Sequence, residues 1–170
     1  MSSIPRRFRA ALALGIGLSI LAAQSAAAAT VSSEYAIHGY EYYATSTQGR
    51  FAGTATGSSG DSGTWNAVIN HTPLTTSATI TGGYADLVTS NLVRIHGTFA
   101  GGSAELRSEV GDCGTQTYDV VGTLKKVTRS DSHRRGTGTF AATLTHYRTL
   151  LFGSCIVYSA SVDGVIGLSF

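Results

Sequence analysis

Apolar and polar side chains alternate along several short stretches of this chain, and this period of two restricts its fold more than any other feature. The alternating sets are residues 35–43, 65–71, 93–99 and 118–124. No long stretch shows the 3.6-residue period of an amphipathic helix, and Gly, Asn, Asp and Pro separate the runs. The chain is therefore predicted to be all-β, with Trp65 inside the core because it shares a face with apolar neighbours.

One short fragment, Gly-x-Phe-Ala followed by a small residue, occurs three times, at residues 49–53, 97–101 and 138–142. The unequal intervals argue against a tandem repeat and indicate one type of strand used three times. Glycine inside a strand allows the bends that a small closed sheet needs, while each Phe would fill the interior. We predict a single antiparallel β-barrel of about 8–10 strands over residues 30–170, with a β-sandwich as the alternative.

The last segment, residues 158–170, alternates without a break up to Phe170. The pair Asp163-Gly164 would ordinarily predict a two-residue hairpin turn, but the alternation predicts one long strand with a bend at Gly164. A terminal Phe after such a strand is also typical of outer-membrane barrels. That alternative stays open, although the two cysteines and the poor apolar alternation of residues 140–148 oppose it.

The first thirty residues have the order of a secretory signal peptide. Three arginines precede an apolar run at residues 10–23, and small residues follow at 25–29. The apolar run is short for a membrane span, and cleavage is predicted after Ala28 or Ala29. We therefore assign residues 1–29 to a cleavable signal peptide and predict a secreted or periplasmic mature protein without a stable membrane span.

Removal of that segment leaves nine Lys and Arg against ten Asp and Glu, a formal net charge of −1. A binder of nucleic acid or of an anionic membrane would carry a basic patch, so neither partner is expected. No phosphate-binding glycine loop and no metal-ligand spacing occurs, so no cofactor and no metal are predicted.

The chain contains two cysteines, Cys113 and Cys155. In an oxidising compartment an isolated pair in one exported chain most simply forms one disulfide. A zinc site would need paired Cys-x-x-Cys spacing, which the sequence lacks.

Four polar residues are the candidate ligand-binding residues. Asn70 and His71 end one predicted strand, and His146 and Arg148 interrupt an otherwise apolar strand. Together they could form the polar floor of a barrel cavity that holds the acidic or carbonyl group of a small ligand. No catalytic residue is assigned.

His146 and Arg148 share the phase of Phe140 and Leu144, so both are predicted to face inward. A buried Arg or His needs partners, because an unpaired buried charge costs several kcal/mol. Asp119 or Glu105 would be such partners. The alternative to a ligand site is a structural polar network near one end of the barrel.

Three functions fit these observations, and none is singled out by a motif. The first is an exported, non-catalytic binding module for a small ligand or a surface partner. The second is a small cyclase, isomerase or hydrolase that uses His71 or His146 as the acid-base group, with Arg148 stabilising negative charge. The third is an envelope-associated structural protein with a tyrosine-rich contact surface. A cavity beside His146 would favour the first two, and a filled interior the third.

Overall fold

The computed structural model describes residues 31–170, and the predicted signal peptide lies outside the described residues. Eight antiparallel strands follow one another in the order β1 (Ser32–Thr45), β2 (Gln48–Gly57), β3 (Ser62–His71), β4 (Ser77–Thr89), β5 (Arg94–Glu109), β6 (Gln116–Arg129), β7 (Arg135–Leu151) and β8 (Ser154–Ser169). Each strand pairs with the next, and β8 pairs with β1, so the sheet closes into a barrel. The prediction of an antiparallel barrel is confirmed, and the sandwich alternative is wrong. Within this described part, no helix is long and apolar enough to cross a membrane.

The barrel interior is filled by the inward-facing side chains that the alternation predicted. Phe51, Phe99 and Phe140, one from each repeated fragment, are all buried. The ring of Phe140 lies 5.7 Å from that of Phe99 and 6.4 Å from that of Trp65, measured between centroids. Trp65 is only 2% exposed, which confirms its predicted place in the core.

The C-terminal segment is one continuous strand, β8, which confirms that Asp163-Gly164 is not a hairpin turn. Gly164 lies against β7, where a Cβ atom would come within 2.6 Å of the Cβ of Ala142. A side chain at residue 164 would therefore collide with the neighbouring strand, and glycine permits the close approach.

The last two strands extend beyond their neighbours at one end of the barrel. Pairing of β7 with β6 ends at His146, and pairing of β8 with β1 ends at Ser161. β7 and β8 stay paired with each other as far as Leu151 and Ser154. Residues 147–159 thus form a two-stranded ribbon that projects from the barrel rim, and we call it the apical ribbon.

The apical ribbon is fastened to the loop between β5 and β6. Cys113 in that loop forms a disulfide with Cys155 in the ribbon, with the two Cα atoms 5.4 Å apart. Beside it, Arg148 donates a hydrogen bond from Nε to the carbonyl oxygen of Gly114 at 2.9 Å. The predicted disulfide is therefore confirmed, and it is compatible with an extracytoplasmic location.

Candidate functional site

His146 lies inside the barrel near the end that carries the apical ribbon. It is 8% exposed and follows Leu144 on the inner face of β7, which confirms the predicted inward orientation. Its Nε2 atom lies 3.3 Å from Oε2 of Glu41, another inward side chain, on β1, but makes no hydrogen bond within the described residues. Glu41 shares the alternating phase of Tyr35 and Ile37, and this phase was the sequence feature that could have identified it as a partner.

Tyr118 packs against His146. We call His146, Glu41 and Tyr118 together the polar layer. Its ring centroid lies 5.5 Å from that of His146, and its hydroxyl lies 3.1 Å from both the carbonyl oxygen of Thr75 and Oε1 of Gln116. Burial raises the pKa of the Tyr118 hydroxyl above its ordinary value, so it stays a neutral donor. These contacts complete a network that joins β1, β6 and β7 and the loop before β4.

Arg148 lies at the rim, above His146, and its guanidinium is engaged by groups of this chain. Besides its bond to Gly114, it forms an ion pair with Glu109, which lowers the pKa of that carboxyl. Neither partner suggested by the sequence fits. Asp119 pairs with Arg107 on the outer surface, and Glu105 is exposed there. The expectation about partners was wrong because both carboxylates alternate out of phase with the buried residues of their strands, such as Tyr118 and Ala104, and so lie on the outer face.

The other two candidate residues lie at the same end of the barrel but apart from this interior layer. Asn70 has the phase of the exposed Asn66, and its Oδ1 accepts a hydrogen bond from Nε2 of Gln48 at 2.9 Å. His71 lies at the rim after an irregularity in β3, with Nδ1 2.7 Å from the carbonyl oxygen of Thr72. The structure therefore does not assemble the four candidates into one floor.

The space beside the polar layer is small. The apolar cavity between Phe51, Ile69 and Leu144 holds about 10 Å³, and a second one further along the interior is of the same size. Pockets that hold small ligands usually measure several hundred Å³. Larger depressions lie outside, including an open groove of about 440 Å³ on the outer face of β6, β7 and β8.

The apical ribbon is the main exposed apolar surface that the structure presents. Its exposed large apolar side chains are Tyr147, Leu150, Leu151, Phe152, Ile156, Val157 and Tyr158. The neighbouring end of β1 adds Tyr40, Tyr42 and Tyr43, and the loop between β5 and β6 adds Val110. Contiguous apolar surface of this kind usually marks a contact site, whereas isolated exposed apolar residues are common.

Phe152 occupies the turn at the apex of this ribbon in an unfavourable backbone conformation. Phe152 and Gly153 have φ values of 50° and 78°, as in a two-residue type I′ turn. Asn, Asp or Gly is preferred at the first of these positions, and a bulky side chain with positive φ is uncommon. Phe152 is 98% exposed, so packing within the barrel does not compensate for the turn. Residues held this way often serve a function.

No protein-family model, no curated protein and no solved structure matches this chain. Within residues 31–170, no three His, Cys, Asp or Glu side chains come together as metal ligands. The described residues present a closed polar layer inside the barrel and an exposed apolar apex outside it.

Proposed function

We propose that this protein is an exported, non-catalytic attachment module that binds a surface of the cell envelope through its apical ribbon. The observation that carries the proposal is the ribbon itself, a projecting, disulfide-fastened hairpin with a fully exposed Phe152 at its apex. Burying such side chains against a partner is favourable by roughly 25 cal/mol for each Å² of apolar surface removed from water.

The packed interior supports surface binding over a ligand held inside the barrel. His146 is closed off by Glu41 and Tyr118, and the guanidinium of Arg148 is already paired with Glu109. The same contacts weaken the enzyme alternative, since an acid-base group must reach the reacting atoms of a substrate.

The outer face of the barrel favours attachment through one end of the molecule. It argues against the alternative that the barrel spans an outer membrane. The outward positions of β7 include Thr139, Thr143 and Thr145, which alternate with buried apolar residues. A membrane-spanning barrel shows the reverse arrangement, with an apolar band facing outward. The predicted signal peptide and the disulfide agree with a place of action outside the cytoplasm.

Substitution at the apex tests this proposal, and the chain supplies a matched control. Phe152→Asn removes the aromatic ring while placing a residue that tolerates positive φ in the turn, so folding stability should stay the same or rise. Its affinity for an envelope fraction of the source organism, measured by co-sedimentation, should fall at least about tenfold because a buried Phe is lost.

The control is Leu92→Asn, at the opposite end of the barrel. Leu92 is also in a turn, has a φ of 61° and is 80% exposed. This variant should sediment with the envelope fraction like the unmodified protein. Equal sedimentation of both variants would contradict the assignment of the ribbon as the attachment site.

A further inference from the structure

The apex of the ribbon is apolar on both of its faces. Successive residues of a strand point to opposite sides, so Leu150 and Leu151 project to different faces, as do Ile156 and Val157. All four side chains are exposed, and Phe152 projects between the faces at the tip. A flat protein surface would cover one face only, whereas a fluid medium would surround the whole apex.

Charge is absent from the same segment. Residues 149–162 form a run of fourteen residues without Asp, Glu, Lys or Arg. Arg148, the charged residue that precedes this run, is paired with Glu109 at the base of the ribbon, and Asp112 lies beside Cys155 in the loop that fastens the ribbon. An uncharged apex matches the hydrocarbon of a lipid bilayer, where an isolated charge is costly.

Tyrosines lie at the base of the ribbon, on the side of β1. Tyr147 and Tyr158 lie on the ribbon near the rim, and Tyr40, Tyr42 and Tyr43 lie on the adjacent end of β1, all of them exposed. Tyrosine combines an apolar ring with a polar hydroxyl, and it is enriched at the level of lipid head groups. The molecule thus has an apolar tip and, at one side of its base, a cluster of side chains suited to the lipid head-group level.

A second copy of the chain fits the ribbon less well. The paired part from residue 147 to residue 151 is about 16 Å long at about 3.3 Å for each residue, and it is only two strands wide. A stable protein interface buries about 800 Å² on each partner, which one face of so small a ribbon does not supply.

We propose that the partner of the apical ribbon is a lipid bilayer, into which residues 150–152 insert at the interface without spanning it. This inference rests on the proposed function and names the partner of that site. Because the apex is uncharged, binding depends on apolar burial and needs no anionic head groups.

The test uses Phe152→Trp as a fluorescent reporter with protein-free vesicles. The introduced indole is exposed, while Trp65 stays buried in the barrel as a constant background. Phosphatidylcholine vesicles should shift the emission of the introduced indole to shorter wavelength. Vesicles of phosphatidylcholine that carries bromine atoms on its acyl chains should quench this emission. Vesicles containing 30% phosphatidylglycerol should bind within about twofold of that affinity, because the electrostatic contribution is small.

Two further variants make the test specific. Adding Leu151→Asn to the reporter should lower vesicle binding at least about tenfold, and adding Leu92→Asn should leave it unchanged. An emission spectrum that does not shift with either vesicle type overturns the lipid inference. A shift that depends on protein concentration in the absence of vesicles also overturns it, because it would indicate binding to a second copy. If Phe152 is still required for envelope sedimentation in that case, attachment through the ribbon stands with a different partner. If it is not required, the proposed function fails as well.

Discussion

Replacement of Trp65 with Ala is expected to lower the free energy of unfolding by about 3–5 kcal/mol. The indole is buried in the aromatic cluster, 6.4 Å from the ring of Phe140, and its Nε1 donates a hydrogen bond to the carbonyl oxygen of His38 at 3.2 Å. The substitution removes both the packing and the hydrogen-bond donor. Urea unfolding followed by circular dichroism gives the free energy without the lost fluorophore.

The control for this experiment is Trp65→Phe, which keeps an aromatic ring and removes the donor. Its loss in free energy of unfolding should be clearly smaller than that of the Ala variant, because the Phe ring still fills most of the space of the indole. Exposed Leu92→Ala should change the free energy by no more than about 0.5 kcal/mol. A loss below about 1 kcal/mol for Trp65→Ala would show that the barrel interior is not packed as described.

Removal of the disulfide is the second large effect we expect. Cys113 and Cys155 are 42 positions apart in the sequence, and the chain-entropy model gives about 4 kcal/mol for closing a loop of that length. The double variant with both cysteines replaced by Ala should therefore unfold at markedly lower urea concentration. A compact denatured state would reduce the loss.

Reduced wild-type protein is the matched control, because it lacks the bond but keeps both sulfur atoms. Its stability should lie close to that of the double Ala variant. Mass spectrometry after alkylation of native, unreduced protein should find no modified cysteine. Two alkylated thiols would contradict the disulfide and remove the main fastening of the apical ribbon.

The closed barrel was predictable because its determinants are local. Alternation identified the strands, and the repeated glycine and phenylalanine fragments placed Phe51, Phe99 and Phe140 inside. The long β8 followed from unbroken alternation in the same way. These features depend on the period of two and on the volume of side chains, which can be read from neighbouring residues.

The partners of the polar residues could not be predicted because they depend on strands distant in sequence. His146 meets Glu41 of β1 across the barrel, and Arg148 meets Glu109 at the end of β5. Phase predicted that His146 and Arg148 point inward, which holds for His146, whereas Arg148 lies at the rim, and only closure of the sheet decides which carboxylate lies opposite each of them.

The apical ribbon was missed for a related reason. The sequence predicts an apolar strand around His146 and Arg148, but whether a strand projects depends on where its neighbours stop. The sequence does contain a usable indication, since Phe152-Gly153 is an unusual turn pair between apolar residues and lies in a long uncharged run. Solvent exposure of Phe152 then distinguishes a contact surface from core.

Hydrogen–deuterium exchange of the intact folded protein, with and without the envelope fraction, measures the site of attachment most directly. On binding, exchange should slow at residues 147–159 and stay unchanged in the turn around Leu92 at the opposite end. Protection confined to the opposite end or to the grooves of the outer face, with the ribbon exchanging as in the free protein, would contradict attachment through the apical ribbon.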